Sequence, residues 1–92
     1  MKVRIVPSAH ADLRSIFNYI SRDSPVHARR TITRIVEIID DMSHHPQAGR
    51  VVPEYGDPNL RERRFKSYRI IYRIRGDIAE VISIFHTSRL LR

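Results

Sequence analysis

Three groups of residues in this 92-residue chain carry side chains able to do chemistry. The first is His86, with Arg89 three residues on. An imidazole gives or takes a proton near neutrality, although a histidine at the end of a strand is also an ordinary surface residue. The second is the arginine set Arg61, Arg64, Arg69 and Arg73. A guanidinium stays protonated at any working pH, so it can neutralise a phosphate but serves poorly as acid or base; a solvated strand face is the alternative. The third is Glu54, in the stretch Gly49-Arg50-Val51-Val52-Pro53-Glu54. A loop carboxylate can act as a general base, and among so many arginines it is more often a salt-bridge partner. The adjacent pair His44-His45 points apart and has no third ligand near it in sequence, so no metal is expected there. No glycine-rich phosphate loop, nucleophile elbow or metalloprotease helix is present.

The elements that must position these residues are legible from periodicity. Lys2–Val6 reads as a short strand closed by Pro7, with Ser8 as the N-cap of a helix over about 9–22, because Ala9, Leu13, Ile16, Phe17 and Ile20 recur at helical spacing. Ser24 and Pro25 restart the chain as N-cap and first helical residue. Ala28, Ile32, Ile35, Ile39 and Met42 then give a second helix over roughly 25–43. So short a connection predicts an antiparallel helical hairpin. Residues 44–59 contain Pro46, Gly49, Pro53, Gly56 and Pro58 and read as a loop.

From Leu60 the period becomes two, giving strands at about 60–66, 68–75 and 78–86 with turns at Lys66-Ser67 and Gly76-Asp77. Alternation puts Tyr68, Ile70, Tyr72 and Ile74 on one face and Arg69, Ile71, Arg73 and Arg75 on the other. Along the last strand the same rule groups Ile78, Ile82 and Ile84 against Ala79, Val81 and Phe85, as in a strand covered on both faces. The expected fold is α+β, a β-α-α-β-β-β chain whose helical hairpin packs on a small, mainly antiparallel sheet.

Charge is segregated. Residues 61–92 hold nine Lys/Arg against three acids and so carry +6 of the formal +7. Of the seventeen cations only Lys2 and Lys66 are lysine; arginine is the planar, bidentate reader of phosphate and carboxylate. Segregated arginine points to a partner: nucleic acid, a ribonucleoprotein or an acidic protein. A single domain over residues 1–92 is expected, with a thin core, since so short a chain buries only about 60–70% of its unfolded surface. The absence of cysteine excludes disulfides and thiolate metal sites. With no apolar run of spanning length and no signal-peptide core in residues 1–20, the expected location is the cytoplasm. No cofactor is expected.

Taken in order, these residues resemble the RelE/ParE superfamily of type II toxin–antitoxin toxins, of the plasmid-stabilisation type. The resemblance rests on Asp12-Leu13…Ile16…Tyr19-Ile20, Pro46…Gly49-Arg50…Val52-Pro53-Glu54, Arg61-Glu62, Tyr68-Arg69-Ile70-Ile71-Tyr72 and His86…Arg89, and it covers essentially the whole chain. It implies the β-α-α-β-β-β fold and a cognate antitoxin whose acidic tail would fold along the toxin in a hetero-oligomer. It also implies one of two targets: DNA gyrase in the ParE-like branch, or mRNA on the ribosome in the RelE-like branch. In the nuclease branch Glu54, Arg69 and His86 match, by position, the base, cationic stabiliser and acid. In the ParE-like branch the same residues hold the sheet together, and Arg61, Arg64, Arg73 and Arg89 are left for phosphate or partner binding. A single lysine near the cleft and the Thr87-Ser88 that follow His86 depart from the nuclease pattern, so the gyrase branch is expected. A third class, a non-toxic nucleic-acid-binding module or degenerate toxin, is compatible with the same charge.

Overall fold

Two helices cover one face of a five-stranded sheet in the computed structural model, which describes residues 1–88. In chain order the elements are β1 (Lys2–Ile5), α1 (Pro7–Ser21), α2 (Pro25–Asp41), β2 (Arg50–Val51), β3 (Leu60–Phe65), β4 (Tyr68–Arg75) and β5 (Ile78–His86). The sheet order is β1-β5-β4-β3-β2, with β1 parallel to β5 and every other pair antiparallel. The α+β architecture is the expected one, with the addition of β2. That two-residue strand lies inside the segment read as loop, and its length is below what alternation can register.

The first helix starts earlier than its sequence indicates. Val6, not Ser8, is the N-cap, and Pro7 occupies the first turn. The amides of Ala9 and His10 donate to the Val6 carbonyl at 2.9 and 3.1 Å. Proline's fixed φ suits the first helical position, and its missing N–H costs nothing there. At α2 the expected start holds: Ser24 Oγ accepts the His27 amide at 3.1 Å, with Pro25 following. That helix ends at Asp41, two residues before the expected stop, with Met42 as its C-cap.

The main core lies between the helices and the sheet, where Ile16, Ile35, Ile39 and Met42 meet Ile70, Tyr72, Val81 and Ile84. A smaller cluster of Val52, Leu60, Ile71 and Phe85 lies on the opposite face, partly covered by the chain that follows β2. On β4 the alternation predicted from sequence is observed, with Tyr68, Ile70, Tyr72 and Ile74 all toward the helices. On β5 it is not. Pairing slips between Ile71–Ser83 and Tyr72–Val81, so Ile82 is an extra residue in the ladder. This β-bulge reverses the side on which later residues fall. Ala79, Val81 and Ile84 therefore share the helix side, while Ile82 joins Phe85 on the other. Beyond the end of β1 the Ile84 amide is taken up by Asp12 Oδ2 of α1 at 2.9 Å. No helix among the described residues is long and apolar enough to cross a membrane.

Candidate functional site

Arg61 and Arg63 fall on the helix side of the sheet with Tyr72 and Ile70, whereas the face turned away from the helices carries Arg50, Arg64, Arg69 and Arg73, and its centre is Arg69. Its neighbours on that face, by register and alternation, are Glu62, Ile71 and Arg64 on β3 and β4. Arg69 Nε donates to Glu62 Oε2 at 2.6 Å, while Nη1 and Nη2 fork onto Glu54 Oε2 and Oε1 at 2.7 and 3.0 Å. Its guanidinium carbon lies 5.4 Å from the Phe85 ring centroid. Arg69 is only 6% exposed and Glu62 2%. Glu62 is completed by Arg50 Nε at 2.6 Å and, at 3.8 Å, by Arg64 Nε. Two carboxylates and three guanidinium groups thus form one continuous network that ties the Pro53–Glu54 turn to the sheet.

Local structure explains why Glu54 arrives there. The Tyr72 hydroxyl donates to the Pro46 carbonyl at 2.6 Å and accepts the Gly49 amide at 3.1 Å, fixing the chain before β2. A Cβ on Gly49 would stand 2.5 Å from that hydroxyl and 2.6 Å from the Glu62 carbonyl, so only glycine fits. Arg50 then pairs with Glu62 and Val51 with Arg61, and the Val52 amide bonds the Leu60 carbonyl at 3.0 Å. Arg61 secures the far end of the loop, with Nε on the Pro58 carbonyl at 2.9 Å and Nη1 on the Gly49 carbonyl at 3.0 Å.

The electrostatics follow from these contacts. The bidentate bond from Arg69 holds the Glu54 carboxyl down to about 2 from an ordinary 4.5. Burial alone would raise Glu62, but hydrogen bonds from Arg69 and Arg50 outweigh it and keep Glu62 below its usual range. Arg69 is raised further by the same two carboxylates, Glu54 first. So low a carboxylate is a weak proton acceptor at neutral pH, and three of the five N–H donors of Arg69 are taken by carboxylates.

The remaining candidate residues fall elsewhere. His86 is paired in register with Tyr68, and the two rings meet edge to face at 5.5 Å. Because Tyr68 points toward the helices, His86 lies on the side of the sheet opposite Arg69 and Glu54. Its Nδ1 is 2.8 Å from Ser88 Oγ and accepts the Ser88 amide at 3.1 Å. It borders a groove of about 660 Å³ between α1 and the end of β5, which Ile16, Tyr19, Arg22 and Tyr68 also line. The structure therefore brings Glu54 and Arg69 together and sets His86 apart from them. Arg64 and Arg73 are exposed on the basic face, Arg61 is committed to loop carbonyls, and Arg89 lies outside the described residues. Among the described residues no group of His, Asp and Glu is placed to hold a metal ion.

Glu62 and Arg50 are the residues of the network that sequence reasoning did not single out, and Glu62 is the one that organises it. Its signal was available: Leu60, Glu62 and Arg64 alternate onto one face, so an acid was being carried into the middle of a row of arginines.

Residues 3–91 match the family described as the ParE toxin of the type II toxin–antitoxin system, parDE. The chain belongs to this toxin family. A curated relative, Toxin RelE2 of Caulobacter vibrioides, is 31% identical over 83 residues, which is 89% of this chain and 90% of the relative. Among solved structures, a chromosomal ParDE toxin–antitoxin system from P. aeruginosa superposes with a TM-score of 0.78 at 21% identity, covering 94% of this chain and 95% of that one. The RelBE2 toxin–antitoxin complex of Mycobacterium tuberculosis gives 0.68 at 22% identity, covering 92% and 95%. These two likenesses establish the fold; the family match and the curated relative establish the toxin as a member of the ParE/RelE family of type II systems.

Proposed function

We propose that this toxin is neutralised by an antitoxin encoded beside it and that it arrests growth by binding DNA gyrase, not by cutting mRNA. The observation that carries this reading is the division of Glu54 and Arg69 from His86 by the sheet. Attack of a ribose 2′-hydroxyl on the adjacent phosphate needs a base, a charge stabiliser and an acid around one phosphorus atom. Here the carboxylate and the guanidinium neutralise each other, and the imidazole belongs to another surface. Their arrangement serves the fold, which leaves exposed arginines such as Arg64 and Arg73 for contacts with a partner. Family membership in the ParE line supports the same choice.

Purified toxin should inhibit gyrase supercoiling, or trap cleaved DNA, with no ribosome present; normal supercoiling at a large toxin excess overturns the reading. The second reading, ribosome-dependent mRNA cleavage, is favoured by the relative bearing the RelE2 name. It predicts codon-positioned cuts in a translation extract that disappear in His86→Ala, and intact message in that extract removes it. Growth on induction, with and without the neighbouring gene, separates both from a module that only binds.

A further inference from the structure

Outside residues 61–92 a net charge near zero hides a second segregation, along the helical hairpin. Residues 14–34, at the end where α1 turns into α2, hold Arg14, Arg22, Arg29, Arg30 and Arg34 against Asp23 alone and so carry +4. The opposite end, residues 7–13 and 35–41, holds Asp12, Glu37, Asp40 and Asp41 and no Lys or Arg. Two of these acids are occupied, Asp12 by the Ile84 amide and Asp41 by Arg63. The arginines are free by comparison. Arg34 reaches Glu37 at 3.6 Å, and the side chains of Arg14, Arg22, Arg29 and Arg30 form no hydrogen bond or ion pair among the described residues.

This arrangement works against the helix that carries it. Acids in the first turn and cations in the last stabilise a helix, yet α2 has neither and ends on Asp40-Asp41. Arg30 and Arg34 stand one turn apart on one face, where like charges repel. Solubility does not call for them, because the chain is already strongly basic elsewhere. Local rules of this kind are broken chiefly where function requires it. Two large side chains stand among these cations, Tyr19 at 69% and Val26 at 51% exposure. The Arg22 guanidinium carbon lies 5.9 Å from the Tyr19 ring centroid. Nucleic-acid phosphates call for cations and polar donors, whereas Tyr19 and Val26 gain only where a partner covers them with apolar surface. Arginine and tyrosine are also the residues on which protein interfaces concentrate their binding energy.

We propose that this end of the hairpin, with Arg22, Arg29, Arg30 and Arg34 around Tyr19 and Val26, is the surface by which the toxin grips its target protein, on an acidic patch with an apolar recess. The inference rests on the reading above only in naming gyrase as that protein. Taking a cation away from α2 should then improve the helix and harm the grip, a combination that neither a structural nor a purely solubilising role produces.

The test compares wild-type toxin with three variants in gyrase supercoiling and, without DNA, in binding to immobilised gyrase by interferometry. Arg30→Glu should weaken inhibition and binding by about tenfold or more. Its thermal midpoint should rise by about 1–4 °C, because the substitution relieves repulsion within α2 and suits the N-terminal half of the helix. Val26→Ser should weaken both roughly three- to tenfold. The double variant Lys2→Gln/Arg4→Gln, exposed on β1 and equal in charge change, should leave both as they are. Full potency in Arg30→Glu overturns the surface, as does lost potency with a lowered midpoint. Toxin that binds a DNA fragment without gyrase, and is released by Arg30→Glu but not by Val26→Ser, overturns a protein as the partner. Wild-type toxin without effect on gyrase fails the proposed function alone. The surface is then judged by growth arrest on induction: Arg30→Glu, expressed to the same level, should relieve it, and undiminished arrest removes the proposal.

Discussion

At the residue scale, Arg69 joins a side chain suited to phosphate with the contacts of a buried ion pair. Its guanidinium is buried between Glu62 and Glu54 and stacked near Phe85. Removing it takes from the fully buried Glu62 carboxylate one of its two close cationic partners, leaving Arg50, so the cost falls below the about 3–5 kcal/mol of an unpaired buried charge. Arg69→Ala should therefore lower the thermal midpoint, and any loss of toxicity in that variant should track the unfolding seen by circular dichroism. A stable but inactive Arg69→Ala would contradict this. Glu54 gives the pH counterpart. Its folded value of about 2 lies below its ordinary 4.5, so the unfolded chain takes up the proton first as pH falls. The stabilising contribution of Glu54 is complete above about pH 4.5 and lost as pH falls toward 2. Denaturation of wild type and Glu54→Gln across that interval should show the gap between them closing; a constant gap refutes the pairing. The sequence named Glu54 as a salt-bridge candidate and Arg69 as the reader of carboxylate or phosphate. It could not show that they meet, because fourteen residues, including the whole of β3, intervene.

At the element scale, what was legible is what has a period. Strand β4 was bounded correctly because alternation over eight residues is a strong signal, and β5 because an apolar run follows the Gly76-Asp77 turn. The bulge at Ile82 was not legible: Ile78–Phe85 is apolar on both faces, and a slip of one residue leaves such a pattern unchanged. The start of α1 was misplaced because Ser8 offers a capping hydroxyl, yet Pro7 already meets the geometric demand of a first turn. The segment before β2 has no period at all; its shape comes from the Tyr72 hydroxyl, far away in sequence. Tyr72→Phe removes the partner of a buried amide and of a carbonyl, and should cost about 1–3 kcal/mol. Amide hydrogen exchange should show the loss concentrated at Gly49 and the loop, with β4 and β5 still protected. Protection lost uniformly across the sheet would mean that the hydroxyl supports the core and not the loop.

At the scale of the whole molecule, the sheet divides two surfaces: a helix side with the Tyr19–Tyr68–His86 groove, and a basic side organised by Glu62. The sequence placed the positive charge in the last third. Pairing of the strands then decided which arginines are spent internally and which face outward. Residues on opposite sides of a sheet that share no partner behave independently when substituted. His86→Ala and Glu54→Gln should accordingly be additive in unfolding free energy, whereas Glu54→Gln and Arg69→Lys, which share a hydrogen-bonded network, should not. A double-mutant cycle by urea denaturation measures both couplings. A catalytic assembly of Glu54, Arg69 and His86 around one phosphate requires the reverse, because groups converging on one small anion repel or support one another through the same space. A sizeable coupling between His86 and Glu54 would then place all three on one surface and return the nuclease to first place; zero coupling leaves a toxin whose two faces are separately available to two partners.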